Sequence, residues 1–360
     1  MVNYLACKTP VSIFLLSLLL ISGCSNNDTR SNTQSPSVNS PLSTRFGVVQ
    51  THEYLSITNT EYVNGTDSND GMKMNVYTYE LQSKTLNKMT DLPYNSQYPL
   101  TVVSLAEDTT YYSGEGKNKG DELFAYDMKT RQAKQLSSNL FAINAIIPDA
   151  TENTLMMAAV QKGERPVKVM FLDKATQKIS ILNEQDSDTT TWDISYDPET
   201  EEAYAIQYSE EEQYEQMEKS NQTQKPMVPP SHTIIEINPV TKQTRPIITL
   251  KDEQILTLST RGNQMLIATA KHINKLPIGY SLVDLKTGQR KELQLPIKAS
   301  SELFLDKEGN GFYFLGEKGN GNTERGIYHY DMRTSEIETI FLQKEGFINN
   351  FTLISEPVSK

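Results

Sequence analysis

Short runs in which apolar and polar residues alternate recur along most of the chain. They are rich in Tyr, Val, Ile, Leu and Phe and bounded by Gly, Pro, Asn, Asp and Ser. A period of two places every second side chain on one face of an extended strand, so these runs predict β-strands. Six of them share a form: a β-rich run, an acidic or amide residue, two more residues, a threonine, then another β-rich run. The copies lie at 77–85, 123–130, 169–176, 234–241, 280–287 and 327–334. Their threonines, Thr85, Thr130, Thr176, Thr241, Thr287 and Thr334, are spaced 45, 46, 65, 46 and 47 residues apart. Each copy reads as a β-hairpin. Asp127, Asp173, Asn238, Asp284 and Asp331 stand three before the threonine, where a short side-chain oxygen accepts bonds from amides further on and starts a turn. Gln82 holds that place in the first copy, which predicts a weaker turn there.

Two further strand candidates lie between successive hairpins: 142–147 with 154–160, 191–196 with 202–208, 255–259 with 264–270, and 302–305 with 311–315. Four antiparallel strands in about 45 residues, repeated, are the pattern of a β-propeller. Six hairpins predict an all-β fold, a six-bladed β-propeller with four strands per blade and no helical domain. An open ring would leave two bare sheet edges. The C-terminal run 347–354 has no hairpin after it, and it is expected to join the first blade beside strands drawn from 46–58. The other arrangement has 45–50 as that blade's innermost strand.

The segment Leu123-Phe-Ala-Tyr-Asp-Met-Lys-Thr-Arg-Gln-Ala-Lys-Gln-Leu-Ser137 resembles a repeat of the TolB-like six-bladed propellers. There a strand ends in Asp, a Thr or Gly turn follows, and the next strand ends in Leu-Thr or Leu-Ser. The resemblance covers about 45–355. It implies a fold and no single activity, because such repeats occur in periplasmic scaffolds, sugar-acting enzymes and peptidase propellers.

The N-terminus has a different character. Lys8 precedes an apolar run at 11–21, which is short for a membrane span and suited to an export signal. Ile21-Ser22-Gly23-Cys24 resembles a lipobox, where bacterial lipoproteins are acylated on cysteine, with palmitate-type chains, and cut just before it. The expected organisation is a signal peptide at 1–23, lipidated Cys24 and a flexible tether at 24–44, the propeller at 45–355 with an insertion at about 209–231, and a tail at 356–360. The tether is nearly free of large apolar residues and cannot bury enough surface to fold. The chain has two cysteines, Cys7 and Cys24, so the mature protein is expected to hold no disulfide. The formal charge of −11 makes nucleic acid and an anionic lipid surface poor partners. The lipid is therefore the expected membrane anchor, and the expected location is the extracytoplasmic side of the cell membrane, as a monomer.

Few enzyme signatures are present. Gly279-Tyr-Ser-Leu-Val283 lacks the second glycine of a nucleophile elbow, and no phosphate-binding glycine loop occurs. The four histidines, His52, His232, His272 and His329, fall in separate segments without paired ligand spacing. Asp67-Ser-Asn-Asp-Gly71 looks like the start of a calcium loop but lacks the downstream acid, since Tyr77 stands there. No cofactor, metal site or catalytic residue is read from the sequence.

Propeller topology supplies the better lead. The Asp-x-x-Thr turns all fall on one face. The opposite face receives the long second-to-third loops and the connections between blades, and long loops on a rigid ring are where binding is usually built. The insertion lies on that face. Its segment 209–219 has helix-forming composition with Ser209 as cap, and 221–230 is expected to be extended. The same face brings Tyr98, Asn144, Trp192, Asp193, Glu302 and Asn349 to the channel mouth as candidate ligand-binding residues. Trp192 is the only tryptophan; an inner-strand tryptophan is expected first of all to pack between blades. The favoured function is a binding or scaffold module for a protein partner or cell-envelope glycan. The competing expectation is a propeller enzyme of lactonase or glycan-lyase type, with Asp193 and Glu302 at a metal in the mouth.

Overall fold

A computed structural model of the chain describes residues 51–357, apart from 64–70, 95–97, 118, 152, 274–277, 320–321 and 344–345. The signal peptide, Cys24, the tether and the candidate calcium loop lie outside the described residues.

Each of six sheets has four antiparallel strands. The first contains β1 (Thr51–Tyr62), β2 (Met72–Glu80) and β3 (Thr85–Pro93). The second is β4 (Thr101–Ser104), β5 (Thr109–Glu115), β6 (Asp121–Asp127) and β7 (Gln132–Gln135). The third is β8 (Leu140–Thr151), β9 (Thr154–Gln161), β10 (Lys168–Asp173) and β11 (Ile179–Ile181). The fourth is β12 (Thr189–Asp197), β13 (Glu202–Ser209), β14 (His232–Ile237) and β15 (Thr244–Leu250), with helix α1 (Glu210–Thr223) between β13 and β14. The fifth is β16 (Gln254–Arg261), β17 (Gln264–Ala270), β18 (Ile278–Asp284) and β19 (Arg290–Leu293). The sixth is β20 (Lys298–Leu305), β21 (Gly311–Gly319), β22 (Asn322–Asp331) and β23 (Ile337–Leu342). The last strand, β24 (Phe347–Pro357), returns to the first sheet as its innermost member, in the order β24-β1-β2-β3. The chain is a six-bladed β-propeller. Its ring closes as three N-terminal strands and one C-terminal strand. β24 runs through Glu356, which is buried, so the tail expected from 356 begins no earlier than 358.

The middle strands explain why the sequence reads as it does. In β9, Leu155 and Met157 join the apolar cluster shared by the first three blades, while Met156 and Ala158 join the cluster against the fourth. A strand buried on both faces needs apolar residues at every position, and Thr-Leu-Met-Met-Ala-Ala-Val-Gln meets that need. Similar clusters fill the seams between the fourth and fifth, fifth and sixth, and sixth and first blades. Outer strands such as β3 and β7 are mostly exposed and carry the polar residues.

The repeated turns follow the expected chemistry. Asp127 Oδ1 accepts from the amides of Lys129 and Thr130, at 2.8 and 2.7 Å. Asn238 and Asp284 do the same, and each also accepts from its threonine hydroxyl. The residue after each threonine is left-handed: Arg131, Gln177, Lys242, Gly288 and Ser335 have φ between 58° and 69°. The first copy corrects the sequence alignment. Its left-handed residue is Lys84, at φ 54°, and Glu80 pairs with Thr85 as Asp127 pairs with Gln132. Ser83 thus takes the threonine's place and Glu80, not Gln82, the aspartate's. Glu80 is one methylene longer, and its carboxylate bonds to His52 Nε2 at 2.5 Å. With Ser83 in the threonine's place, the first interval lengthens to 47 residues.

Candidate functional site

The innermost strands of the six blades are β24, β4, β8, β12, β16 and β20, and each starts at the face that carries the second-to-third loops. Five of the six are bulged near that start. The antiparallel register skips Asn349 in β24, Phe141 and Asn144 in β8, Trp192 in β12, Leu256 in β16 and residues 300–302, ending in Glu302, in β20. A bulge adds an unpaired residue and re-aims its side chain away from the sheet's regular faces. Four of the six sequence candidates, Asn349, Asn144, Trp192 and Glu302, are therefore bulge residues, and Asp193 follows one. β4 has an unbroken register, and Tyr98 stands in the segment that leads into it. Sequence reading placed these residues at the mouth but missed the bulges, and with them Phe141 and Leu256. The signal that identifies them is a break in alternation, such as the uninterrupted Leu-Phe-Ala-Ile at the start of β8.

Exposed large apolar side chains gather at this end of the ring. Tyr98 is 42% exposed, Phe141 43%, Trp192 39% and Phe347 37%. They come from the second, third, fourth and first blades. Trp192 also packs as expected between blades: its indole Nε1 donates to the Leu256 carbonyl at 2.8 Å, joining the bulge of the fourth blade to that of the fifth. Asp193 strengthens the junction. Its Oδ2 accepts from the Thr257 hydroxyl at 2.8 Å and its Oδ1 from the Ile194 amide at 2.9 Å. Burial nevertheless pushes the Asp193 carboxyl up to about 6, because loss of hydration outweighs those bonds. Tyr98 is partly exposed, yet loss of hydration inside the ring pushes its phenol well above the ordinary range, and the negative charges of Glu302 and Asp193 push it the same way. Side chains from the second, fourth and sixth blades therefore act on one another across the mouth. Asn349 is held to its own blade, where its Oδ1 accepts from the Thr60 hydroxyl at 2.7 Å. Asn144 is exposed. Next to Asn349, Asn350 is 6% exposed, and its Oδ1 has no donor.

The insertion is built onto the same face. Ser209 caps α1, its Oγ accepting from the Glu212 amide at 3.0 Å, with Glu210, Glu211 and Glu212 in the first turn. Asp188 takes two more of the free amides: its Oδ1 accepts from Glu211 N at 2.8 Å and its carbonyl from Glu210 N at 3.1 Å. The helix extends to Thr223, four residues past the segment whose composition announced it, and the extended stretch begins only after it. A cleft of about 580 Å³ lies between the first half of α1, the β9–β10 loop and Asp188. His232, behind this region, stacks on Tyr208 at 5.0 Å and accepts from the Ile255 amide. Burial holds its imidazole down at about 4, so it is a neutral packing residue. Among the described residues no group of three or more His, Cys, Asp or Glu is arranged to hold a metal ion.

No protein-family model matches the chain, and no curated protein matches it. Solved structures do. TolB from Acinetobacter baumannii superposes with a TM-score of 0.55 at 11% identity, over 83% of this chain and 66% of that one. The match thus spans slightly less than two thirds of that TolB chain, and at this identity it shows the fold alone. An oligogalacturonate lyase in complex with manganese gives a TM-score of 0.42 at 12% identity, over 68% of this chain and 77% of that one. The oligogalacturonate lyase of Vibrio parahaemolyticus gives 0.44 at 10%, over 81% and 86%.

Proposed function

We propose that the chain is a membrane-anchored binding module, tethered through Cys24 on the extracytoplasmic side, whose insertion face receives a protein partner or a cell-envelope glycan. The observation that supports this reading is the set of bulges at Trp192, Phe141, Asn144 and Glu302 on the inner strands, together with the exposure of Tyr98, Phe141, Trp192 and Phe347 at the same end of the ring. Exposed aromatics clustered on a rigid scaffold are the composition of recognition surfaces. The opposite face offers short, near-identical turns.

Photo-crosslinking in intact cells tests this. A crosslinking residue at Phe141 or Met217, both on the insertion face, is expected to yield defined adducts. One at Val240, 74% exposed on the turn face, is expected to yield none. Adducts from Val240 alone would reverse the assignment of the face. Replacing Cys24 with alanine is expected to release the protein from the membrane fraction or leave its precursor uncut; membrane retention with unchanged mobility counts against the anchor.

The enzyme reading has one observation in its favour, the two carboxylates that both act on Tyr98. A stoichiometric divalent ion in the purified chain, lost on Glu302→Gln, would favour it over the binding role.

A further inference from the structure

We propose that the channel mouth receives the cationic side chain of a lysine or arginine from a partner polypeptide, seated among Tyr98, Asp193 and Glu302, and that the cleft beside α1 receives a second basic residue of the same segment. The inference rests on the binding reading above and specifies the chemistry of the bound group.

Four features converge on a cation. Aromatic faces attract positive charge, and Tyr98 and Trp192 stand open at the mouth. Asp193 beside the β12 bulge and Glu302 in the β20 bulge lie on inner strands that start at the same end of the ring as β4, which Tyr98 leads into. Asn350 adds an independent sign. It pairs with Thr58 across β24 and β1, so both project from one side of the sheet. Thr58 on that side bonds to Thr101 of β4, the strand that Tyr98 leads into. The buried Asn350 carbonyl oxygen, on the side toward β4, has no donor, and an ammonium or guanidinium supplies donors and no acceptor. Finally, the cleft is lined by Glu164, Asp188, Glu210, Glu211, Glu215 and Glu218 with Arg165 as the one cation in the lining. Lys168 acts on Glu164, Asp188 and Glu210, which leaves Glu211, Glu215 and Glu218 for an incoming charge.

The two halves are continuous. Trp192 lies four residues along the chain from Asp188, which immediately precedes β12, roughly 13 Å for extended chain. The Tyr208 ring, 6.5 Å from that of Trp192, sits immediately before the helix cap. An extended partner with basic residues four apart therefore spans both halves. The formal charge of −11 draws such a segment in, while the same carboxylates repel an acidic polymer.

Trp192 is the only tryptophan, so its fluorescence reports the mouth directly. The probe is a blocked octapeptide of glycine and serine with lysines at its third and seventh positions, titrated into the full chain in neutral detergent. Companion peptides replace both lysines with norleucine or glutamate. A saturable change in emission is expected with the lysine peptide alone, weakening by about tenfold in high salt. Glu302→Gln is expected to weaken it by about fivefold to tenfold, and the joint change Glu215→Gln, Glu218→Gln by about threefold. The helix changes lie on an exposed element that buries no residue, so they report binding even if Glu302→Gln disturbs the ring. Equal binding of the norleucine peptide, or no change in emission with the lysine peptide, overturns the assignment. Loss with Glu302→Gln but none with the helix pair overturns the cleft half alone. Crosslinks from Phe141 or Met217 alongside a silent lysine peptide would leave the binding face standing and remove only the cation.

Discussion

The two faces of the ring solve opposite problems. On the turn face, side chains reach from blade to blade and close the structure. Arg261, at the end of β16, bonds to Glu53 of the first blade and to Glu199 in the β12–β13 turn of the fourth. The sixth blade lies between the fifth and the first, so Arg261 crosses that end of the channel. Glu356 of β24 accepts from the Ser104 hydroxyl and the Ala106 amide of the second blade. Lys174 of the third blade meets Glu107 of the second at 2.7 Å, and Lys84 of the first meets Glu338 of the sixth. On the insertion face the described residues show a junction of bulges, exposed aromatics, a carboxyl raised by burial and an amide oxygen without a donor. Buried polar atoms without partners occur toward both ends, Asp197 Oδ2, Thr260 Oγ1 and Ser355 Oγ near the turn face and Asn350 Oδ1 nearer the other. What separates the faces is therefore the ion pairs that cross between blades on one and the exposed aromatics on the other. A rigid closed end is what lets the open end keep a shape that costs stability.

The sharpest way to break this comparison is at Arg261. Its side chain is 5% exposed and that of Glu53 is 8%, so Arg261→Leu strands a buried carboxylate. Removing one partner of a buried ion pair costs far more than the pair contributes, and a loss of about 3 kcal/mol is expected from denaturant unfolding. Gly262, at φ +55°, makes the turn that presents this arginine, and a Cβ there would come within 2.7 Å of Glu199 Oε2. If Arg261→Leu is as stable as the parent, the turn face is not what holds the ring shut.

Asp193 is expected to behave in the opposite sense. Its folded-state value near 6 lies above the ordinary 3.8, so the fold holds the proton more tightly than the unfolded chain does. Stability from this group is therefore fully present below pH 3.8, falls as pH rises from there to about 6, and is level above that. Asp193→Asn keeps an acceptor for the Thr257 hydroxyl and removes the buried charge. It is expected to raise stability by about 1–2 kcal/mol at pH 7.5 and by almost nothing at pH 4. Thermal melts at the two pH values check this, and a gain of the same size at both would show that the charge is not what strains the site.

The architecture was legible because it repeats. Alternation, turn residues and near-constant spacing each depend on local chemistry, and together they gave strand number, blade number and the closing strand. The first copy was misaligned by two residues because Thr85 offers the pattern's threonine while the turn itself is built with Ser83 before left-handed Lys84. The site was legible only in outline. Topology placed Tyr98, Asn144, Trp192, Asp193, Glu302 and Asn349 at one end of the ring, but whether a side chain faces the mouth depends on a one-residue slip in register. Phe141 and Leu256 read as ordinary strand residues, and only pairing with the neighbouring strand exposes the slip. The Arg261 crossing was not legible at all, since it joins residues 208 apart in sequence through a ring that must first be closed.

The smallest expected effect tests whether the turn face is tuned for its uniform shape. Arg131 follows Thr130 at φ 59°, a conformation that favours glycine, and its amide donates to the Asp127 carbonyl at 2.8 Å. In the fifth blade the same position is Gly288, at φ 69°. A side chain in this region costs roughly 1 kcal/mol, and glycine returns part of that as extra freedom of the unfolded chain. Arg131→Gly is therefore expected to gain about 0.5 kcal/mol, measured as a shift in denaturation midpoint at unchanged slope. The Asp127 bonds to the turn amides do not involve the Arg131 side chain, so the hairpin keeps its register. Lys242 is the informative control, because its ammonium bonds to Ser180 of the third blade and lies over the Phe171 ring at 5.4 Å. Lys242→Gly loses those contacts between blades along with the strain, and is expected to gain nothing or to lose stability. Equal gains at both positions would mean that these blade-to-blade contacts contribute little, and that the turn face owes its rigidity to the apolar seams beneath it.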